Sequence, residues 1–261
     1  MDDMGSLISV TGKNVVVIGG TGNVGKPIVE SLTRNGARVI SVSRSKTEVD
    51  YFFDKKLFKY PGELYTHSCD ISTEQGVESL RLFLDFKNFI PDVLVNAVSY
   101  RPKEIYLSDS IEKWDEVVSR NSRSMFLLYK TFADLMKAKG EGSVISISSI
   151  YAVVAPDPAL YEDLAMGTEA DYPFIKAGGI ALARYFASYY GSKGVRFNSI
   201  ILGGVFNNQD QTFVDRYIAK VPLGRMANGN DICGAVNLLA SSASSYITGS
   251  SIYIDGGFTS R

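Results

Sequence analysis

Histidine and cysteine are scarce in this 261-residue chain, which has one His and two Cys, Cys69 and Cys233. Two thiols are too few for a disulfide framework or a zinc cage, and they read as reduced thiols in a cytoplasmic protein. The single histidine, His67, falls in a predicted strand without ligand-like companions, so it reads as structural and no metal is expected. Long apolar runs are missing as well, since none approaches the ~18 residues of a membrane span. The start, Met1 to Ser6, is acidic and lacks the apolar core of a secretion signal. Nor is there an excess of either charge: a formal net charge of −1 argues against a broad nucleic-acid footprint. What remains is 45% hydrophobic with no shift in composition midway, which predicts one α/β domain over residues 1–261.

The first half opens with Val15-Val-Val-Ile18, a short apolar run of the kind a buried parallel strand requires. Gly19-Gly-Thr-Gly-Asn-Val-Gly25 follows directly, then an amphipathic helix carrying Val24, Ile28, Val29 and Leu32 on one side. Gly36 ends that helix and Arg38 to Val42 supplies the next strand. Strand, glycine turn, helix and strand in this order form a dinucleotide-binding unit. Small residues let the backbone approach a pyrophosphate, and free N–H groups at the helix N-terminus favour its charge. Gly19, Thr21, Asn23, Val24 and Gly25 are therefore the candidate cofactor residues of the turn. The second strand ends in Ser43-Arg44, where an NAD-specific site usually places a carboxylate and where Arg suits a 2′-phosphate. NADP(H) is favoured over NAD(H) on that ground, against the alternative that Arg44 is a solvated surface cation.

Glu48 to Tyr60 is unusually aromatic, with interleaved lysines; it reads as a short helix over the sheet edge or an oligomer contact rather than a strand-binding platform for nucleic acid. Cys69-Asp70-Ile71 ends a third strand, residues 73–89 look helical, and Asp92 to Ser99 is a fourth strand in which Asn96 and Ala97 lie beside the cofactor position. Trp114 to Lys139 is one long helical pattern interrupted by Asn121, which either kinks the helix around a water or lies on the surface. Gly142 to Ser149 is a fifth strand, ending in hydroxyls at the edge where open α/β sheets bind ligands. Tyr172 and Lys176 are one helical turn apart, so the phenol and the ammonium share a face. A nearby cation favours the phenolate, and with the Ser149 hydroxyl the pair suits proton transfer at a carbonyl or alcohol. Pro173 is tolerated only in a first turn and so marks the helix start.

These residues together resemble the short-chain dehydrogenase/reductase family over nearly the whole chain. The resemblance implies a Rossmann-like, doubly wound parallel sheet of about seven strands with helices on both faces. It implies Asn121, Ser149, Tyr172 and Lys176 as the catalytic set, with Asn121 holding a water that returns protons to Lys176. It also implies Asp70 and Ile71 on the adenine side, and Gly203 and Val205 in the turn that receives the nicotinamide. Ile247 through Gly257 matches the family's last strand and closing turn. Homodimers or homotetramers are expected, through the helices at 110–139 and 172–191.

Several features depart from the family's pattern. Asn23 replaces a glycine of the turn, Asn96-Ala-Val-Ser99 replaces Asn-Asn-Ala-Gly, and Leu202 replaces a proline. Ser149 and Tyr172 are twenty-three positions apart, further than is usual. Tyr161 lies nearer the usual distance, but position 165 is Ala, so Tyr172 is the better choice. The extra segment, 156–171, carries Asp157, Glu162, Asp163, Glu169 and Asp171 and no basic residue. It reads either as a binding surface for polyhydroxylated or amine-bearing substrates or as a solvated loop. Residues 205–225, with a short helix over Thr212–Lys220, correspond to the family's mobile lid, and their amides suit a polar small molecule. Asn230 to Ala240 is a further helix. The wording of 149–225 resembles members linked to bacterial surface-sugar or flagellin modification, which implies a sugar or nucleotide sugar. The expected activity is NAD(P)-dependent interconversion of a secondary alcohol and a ketone. The glycine spacing keeps open a nucleotide-sugar epimerase or dehydratase, though no second domain follows in this sequence, and a non-catalytic NAD(P)-binding regulator is the third reading.

Overall fold

The computed structural model describes residues 7–45, 60–101 and 110–260. Seven strands form one sheet: β1 (Asn14–Ile18), β2 (Arg38–Ser43), β3 (Glu63–Ser68), β4 (Val93–Asn96), β5 (Gly142–Ser149), β6 (Val195–Leu202) and β7 (Ser251–Ile254). Their order is β3-β2-β1-β4-β5-β6-β7, and every pairing is parallel. Helices α1 (Gly25–Arg34), α2 (Glu74–Phe86), α3 (Ile111–Lys139), α4 (Asp171–Tyr190), α5 (Gln211–Ile218) and α6 (Cys233–Ala240) connect them.

The apolar runs are continuous because successive strand residues feed opposite faces and both faces are covered. Val15 and Val17 join α1 and α6 in one core, whereas Val16 and Ile18 join α2, α3 and α4 in the other. The second core holds an aromatic cluster in which Phe197 lies 5.8 Å from Tyr129 and 5.3 Å from Phe186 between ring centroids. A third, smaller core lies above the C-terminal edge, where Leu160 of the extra segment meets Phe213 and Tyr217. Strand order reverses at β1 and β4, which opens a crevice at their C-terminal ends.

Element ends differ from the sequence reading for local reasons. Cys69-Asp70-Ile71 lies beyond β3, because the Asp70 carboxylate accepts from Ser72 N (3.0 Å) and Thr73 N donates to Asp70 O (3.2 Å), closing a turn. Strand β4 stops at Asn96, whose side-chain oxygen accepts from Val98 N. Helix α3 starts before Trp114 because the Ser110 hydroxyl caps Lys113 N, and it ends on Gly140 in the left-handed region. Helix α6 starts at Cys233, since Asn228 and Asp231 close a turn through residues 228–231. His67 sits in β3, its Nε2 3.1 Å from Ser79 Oγ and its ring stacked on Phe83. Of the aromatic stretch Glu48–Tyr60 only Tyr60 falls within the described residues, under the Arg34 guanidinium at 4.8 Å.

Phe197 is fully buried at the junction of β6, α3 and α4. Truncation by Phe197→Ala should cost about 3–5 kcal/mol in urea denaturation, through lost transfer energy and the cavity left behind. A loss under about 1 kcal/mol would show that this cluster does not anchor α4 to the sheet.

Candidate active site

The glycine turn is fixed by its closeness to neighbouring backbone. Gly19 has φ +78° and its N–H donates to Val42 O at 2.8 Å, while Gly22 N donates back to Gly19 O at 3.0 Å. A Cβ on Gly25 would lie 2.0 Å from Gly19 O, so only glycine fits where α1 begins. No side chain caps α1, although Lys26 N donates to Gly22 O at 2.9 Å, and the positive end of the helix faces the turn, where it favours an anion. Thr21 Oγ1 lies 2.7 Å from Ser43 Oγ and ties the turn to the end of β2. A cavity of about 450 Å³ runs past Gly19, Thr21, Ser43, Arg44, Ile71 and Ala97, and no carboxylate lines it among the described residues. This cradle fits a dinucleotide: close backbone, the positive end of α1 and a cation at the end of β2.

Ser149, Tyr172 and Lys176 line a second cavity of about 520 Å³, together with Val24, Gly203 and Val205. Ala97 and Ser99 border both cavities, so the two are continuous at the end of β4. Ser149 ends β5, and its Oγ accepts from Tyr151 N (3.2 Å), which leaves the hydroxyl proton to donate. Lys176 Nζ donates to Ile147 O (3.1 Å) and lies 5.6 Å from the centre of the Tyr172 ring. Ser148 Oγ donates to Lys176 O (3.0 Å), so β5 and α4 are joined on both sides of the lysine. Enclosure lowers the pKa of the Lys176 ammonium; Tyr172 opposes that shift and Arg101 adds to it. The Arg101 guanidinium lies 4.5 Å over the Tyr172 ring.

The remaining candidates lie apart from this group. Asn121 is 4% exposed, not a surface residue, and α3 runs through it as continuous helix. Its amide donates to Tyr100 O (2.9 Å) and Val117 O (2.8 Å), and its oxygen accepts from Tyr100 N (2.9 Å). Its side chain thus holds the loop after β4 rather than entering the Ser149 cavity. Asn121 and Asp70 instead border a small third cavity, where Arg120 contacts Asp70 Oδ2 at 3.3 Å and stacks over Tyr100 at 4.5 Å. Asn23 is exposed on the turn, and Asn96 is buried with its oxygen on Val98 N.

The five acids of segment 156–171 do not line the cavity that holds Ser149, Tyr172 and Lys176. Asp157 pairs with Lys220 at 2.7 Å, Glu169 pairs with Lys113, and Asp171 is buried at the start of α4. The segment presents Tyr161, Met166, Gly167 and Thr168 to the cavity instead. Tyr151, Tyr161 and Thr168 form a hydroxyl chain with spacings of 2.7 and 2.9 Å. The 205–225 stretch packs against the same segment, with Arg216 donating to Glu162 O at 2.6 Å and Phe213 5.4 Å from the Tyr161 ring. Gly204 N donates to Tyr217 Oη at 2.5 Å, and Val205 bridges to Ala227, which fixes the turn after β6. Sequence reasoning missed Arg101, Arg120 and the Tyr151–Tyr161–Thr168 chain. Only the fold of the loop after β4 brings Arg101 back over α4.

Among the described residues no group of three or more His, Cys, Asp or Glu is placed to hold a metal, and no helix is long and apolar enough to cross a membrane. A family model described as enoyl-(acyl carrier protein) reductase matches residues 19–259. The chain is 27% identical to the 3-oxoacyl-[acyl-carrier-protein] reductase of Escherichia coli over 94% of this chain and 97% of the relative. It is 29% identical to a tropinone reductase homologue of Arabidopsis thaliana, over 96% and 94% of the two chains. Among solved structures, a short chain dehydrogenase of Leptospira borgpetersenii with bound NAD+ superposes with TM-score 0.85 at 34% identity, over 96% of this chain and 94% of that one. A putative NAD(P)-dependent gluconate 5-dehydrogenase of Beutenbergia cavernae with bound NADP gives TM-score 0.85 at 26% identity, over 98% and 100% of the two chains.

The lowered pKa of Lys176 has a signed consequence. Between its folded pKa and the unfolded value near ~10.4, the unfolded chain binds more protons, so this group makes stability rise with pH across that window. Lys176→Met should lack that rise, so the wild-type stability from urea denaturation should gain on the variant's as pH increases through the window. Parallel pH profiles for the two proteins would place the ammonium in solvent instead.

Proposed function

The chain belongs to the short-chain dehydrogenase/reductase family and is an NAD(P)-dependent oxidoreductase acting on an alcohol/ketone pair; from that premise we propose how its own residues do so. The observation that carries the reading is the meeting of Ser149, Tyr172 and Lys176 in one cavity continuous with the glycine-turn cradle. Tyr172 gives a proton to the substrate oxygen in reduction and takes it in oxidation. Lys176, held by Ile147 O, keeps a positive charge beside the phenol and favours its ionised form. Ser149 donates its hydroxyl to the same substrate oxygen and fixes its direction. Asn121 acts through the loop it pins at Tyr100, as a positioning residue. The nicotinamide cofactor, when bound, supplies or accepts the hydride.

Gly19, Thr21, Val24, Gly25 and Ala97 would hold the cofactor's pyrophosphate side, and Gly203 and Val205 would face its nicotinamide. At the adenine end Ser43 and Arg44 stand at the end of β2 in place of a carboxylate, with Asp70 within electrostatic reach of Arg44, and the cation at this position supports NADP(H). Arg44→Ala should weaken NADPH binding about tenfold or more and NADH binding little, measured by fluorescence titration. Equal loss for both would make Arg44 a general surface cation.

A polar substrate fits the cavity wall, since hydroxyls of Tyr151, Tyr161 and Thr168 and the amides of Asn207 and Gln209 stand around it. The putative gluconate 5-dehydrogenase relative is named for a polyhydroxylated compound, which favours a sugar-derived alcohol or ketone here. The surface-sugar and flagellin resemblance has no counterpart in the relatives named above, and the sugar-class reading rests on the cavity. Exposed Phe126, Phe174, Tyr185 and Tyr189 on α3 and α4 are apolar surface that a second copy would cover, which supports a homo-oligomer.

Tyr172→Phe keeps the ring and removes the transferable proton. Turnover should fall by about 10²–10⁴ while NADPH affinity stays within about twofold, as read by steady-state kinetics and fluorescence titration. Near-normal turnover would remove Tyr172 from the chemistry.

A further inference from the structure

Resting on the reading of Arg44 as the partner of a cofactor 2′-phosphate, we propose that Tyr100 is the positioning residue that makes Arg44 selective for NADP(H) over NAD(H). Arg44 is exposed just beyond β2, and its backbone is fixed where Ser68 Oγ donates to Arg44 O at 2.8 Å. Its side chain is placed by a ring: the guanidinium carbon lies over Tyr100, 5.3 Å from the centroid. A contact through a ring face consumes no N–H donor, so the planar fork that suits a phosphate is kept. An exposed arginine has many rotamers to lose on binding an anion, and a ring that already holds it reduces that loss.

Tyr100 can serve as that platform because α3 fixes it at both ends. The Asn121 amide binds its backbone N–H and carbonyl, and its phenol donates to Glu116 Oε1 at 2.8 Å. A second guanidinium, that of Arg120, lies over the same ring at 4.5 Å. Two cations over one ring repel unless each is answered. Arg120 is answered by Asp70 Oδ2 at 3.3 Å and Glu116 Oε1 at 3.4 Å. Asp70 is hydrogen-bonded to Ser72 and Arg120 and acts on Arg44 through space, so an arriving phosphate is the anion that meets Arg44 directly. The cavities separate the roles. Arg44 borders both the 450 Å³ cradle and the small cavity of about 50 Å³, whereas Tyr100 and Arg120 border the small one alone. Tyr100 therefore meets the cradle through Arg44.

The test is the Kd for NADPH and for NADH, which differ only in the 2′-phosphate, by fluorescence titration of the wild type, Arg44→Ala, Tyr100→Leu, Tyr100→Phe and the Arg44→Ala/Tyr100→Leu double variant. Tyr100→Leu keeps the backbone bonds to Asn121 and removes the ring. It should raise the Kd for NADPH about three- to tenfold and leave that for NADH within about twofold. Tyr100→Phe keeps the ring and loses only the bond to Glu116, so both Kd values should stay within about twofold of the wild type. The double variant should lose no more than Arg44→Ala alone, since the two residues act as one unit. Wild-type NADPH affinity in Tyr100→Leu overturns the role of Tyr100, as does an equal loss for NADPH and NADH. A loss in Tyr100→Phe as large as in Tyr100→Leu overturns the ring contact. Additive losses in the double variant do so as well, because Tyr100 would then act without Arg44. The underlying reading fails separately: a wild type with no preference for NADPH, or an Arg44→Ala variant that keeps the preference, removes Arg44 from the 2′-phosphate and Tyr100 with it. Should Tyr100→Leu show no cooperative melting transition, Tyr100→Met takes its place in every comparison.

Discussion

An ammonium enclosed by protein has to be given acceptors, and in this molecule Lys176 receives them from the sheet itself. Ile147 O takes its hydrogen bond, and two strand positions on, Ser149 presents its hydroxyl to the same cavity. Ser148, between them, binds the lysine's own carbonyl from its side chain. Two consecutive residues of β5, Ile147 and Ser148, thus tie α4 to the sheet at Lys176, and Tyr172 follows because it is one helical turn away on that helix. Enclosure works against the charged ammonium while the phenol works for it, so the pair is matched in a way neither residue would be alone.

That arrangement depends in turn on a sheet buried on both faces. Odd and even residues of β1 enter different cores, so the strand cannot slip by one position without turning each apolar side chain into the wrong layer. With register settled, the C-terminal ends of β1, β4, β5 and β6 arrive at one edge in a fixed stagger. The glycine turn, Ala97, Ser149 and Gly203 are the residues found there, and each belongs to the continuous pair of cavities. Side-chain identity at the edge is free to specify chemistry because packing below it has already specified position.

Much of this was legible in the sequence, and the limits of legibility have physical causes. Periodicity marks strands and helices because burial acts on alternate or every third to fourth residue, and the parallel order follows from the alternation of the two. Ends of elements are less legible, since they are set by single hydrogen bonds such as Ser110 to Lys113 N or Asn96 to Val98 N. Asn121 offered a kink or a surface position, and it has neither; its amide is satisfied by one i−4 carbonyl and by both backbone groups of Tyr100, twenty-one residues away. Charge composition misled for the same reason. The acids of 156–171 look unpartnered in sequence because their cations, Lys113 and Lys220, come from α3 and from the stretch after α5.

The unusual separation of Ser149 from Tyr172 is therefore a matter of what segment 156–171 packs against rather than of where Tyr172 and Lys176 stand. Hydrogen bonds from β5 to Lys176 hold it, and Tyr172 one turn away, beside the strand end whatever length of chain lies between them, and closing a longer loop adds little entropic cost. The added residues are spent on the 205–225 stretch: Leu160 and Tyr161 pack on Phe213, Asp157 holds Lys220, and Glu162 O accepts from Arg216. Those contacts join the two segments, so a displacement of 205–225 must either carry the 156–171 segment along or break an apolar cluster. The inner surface of that joint unit presents hydroxyls and a methionine to the cavity, and two of its outer acids pair with Lys113 of α3 and with Lys220 after α5.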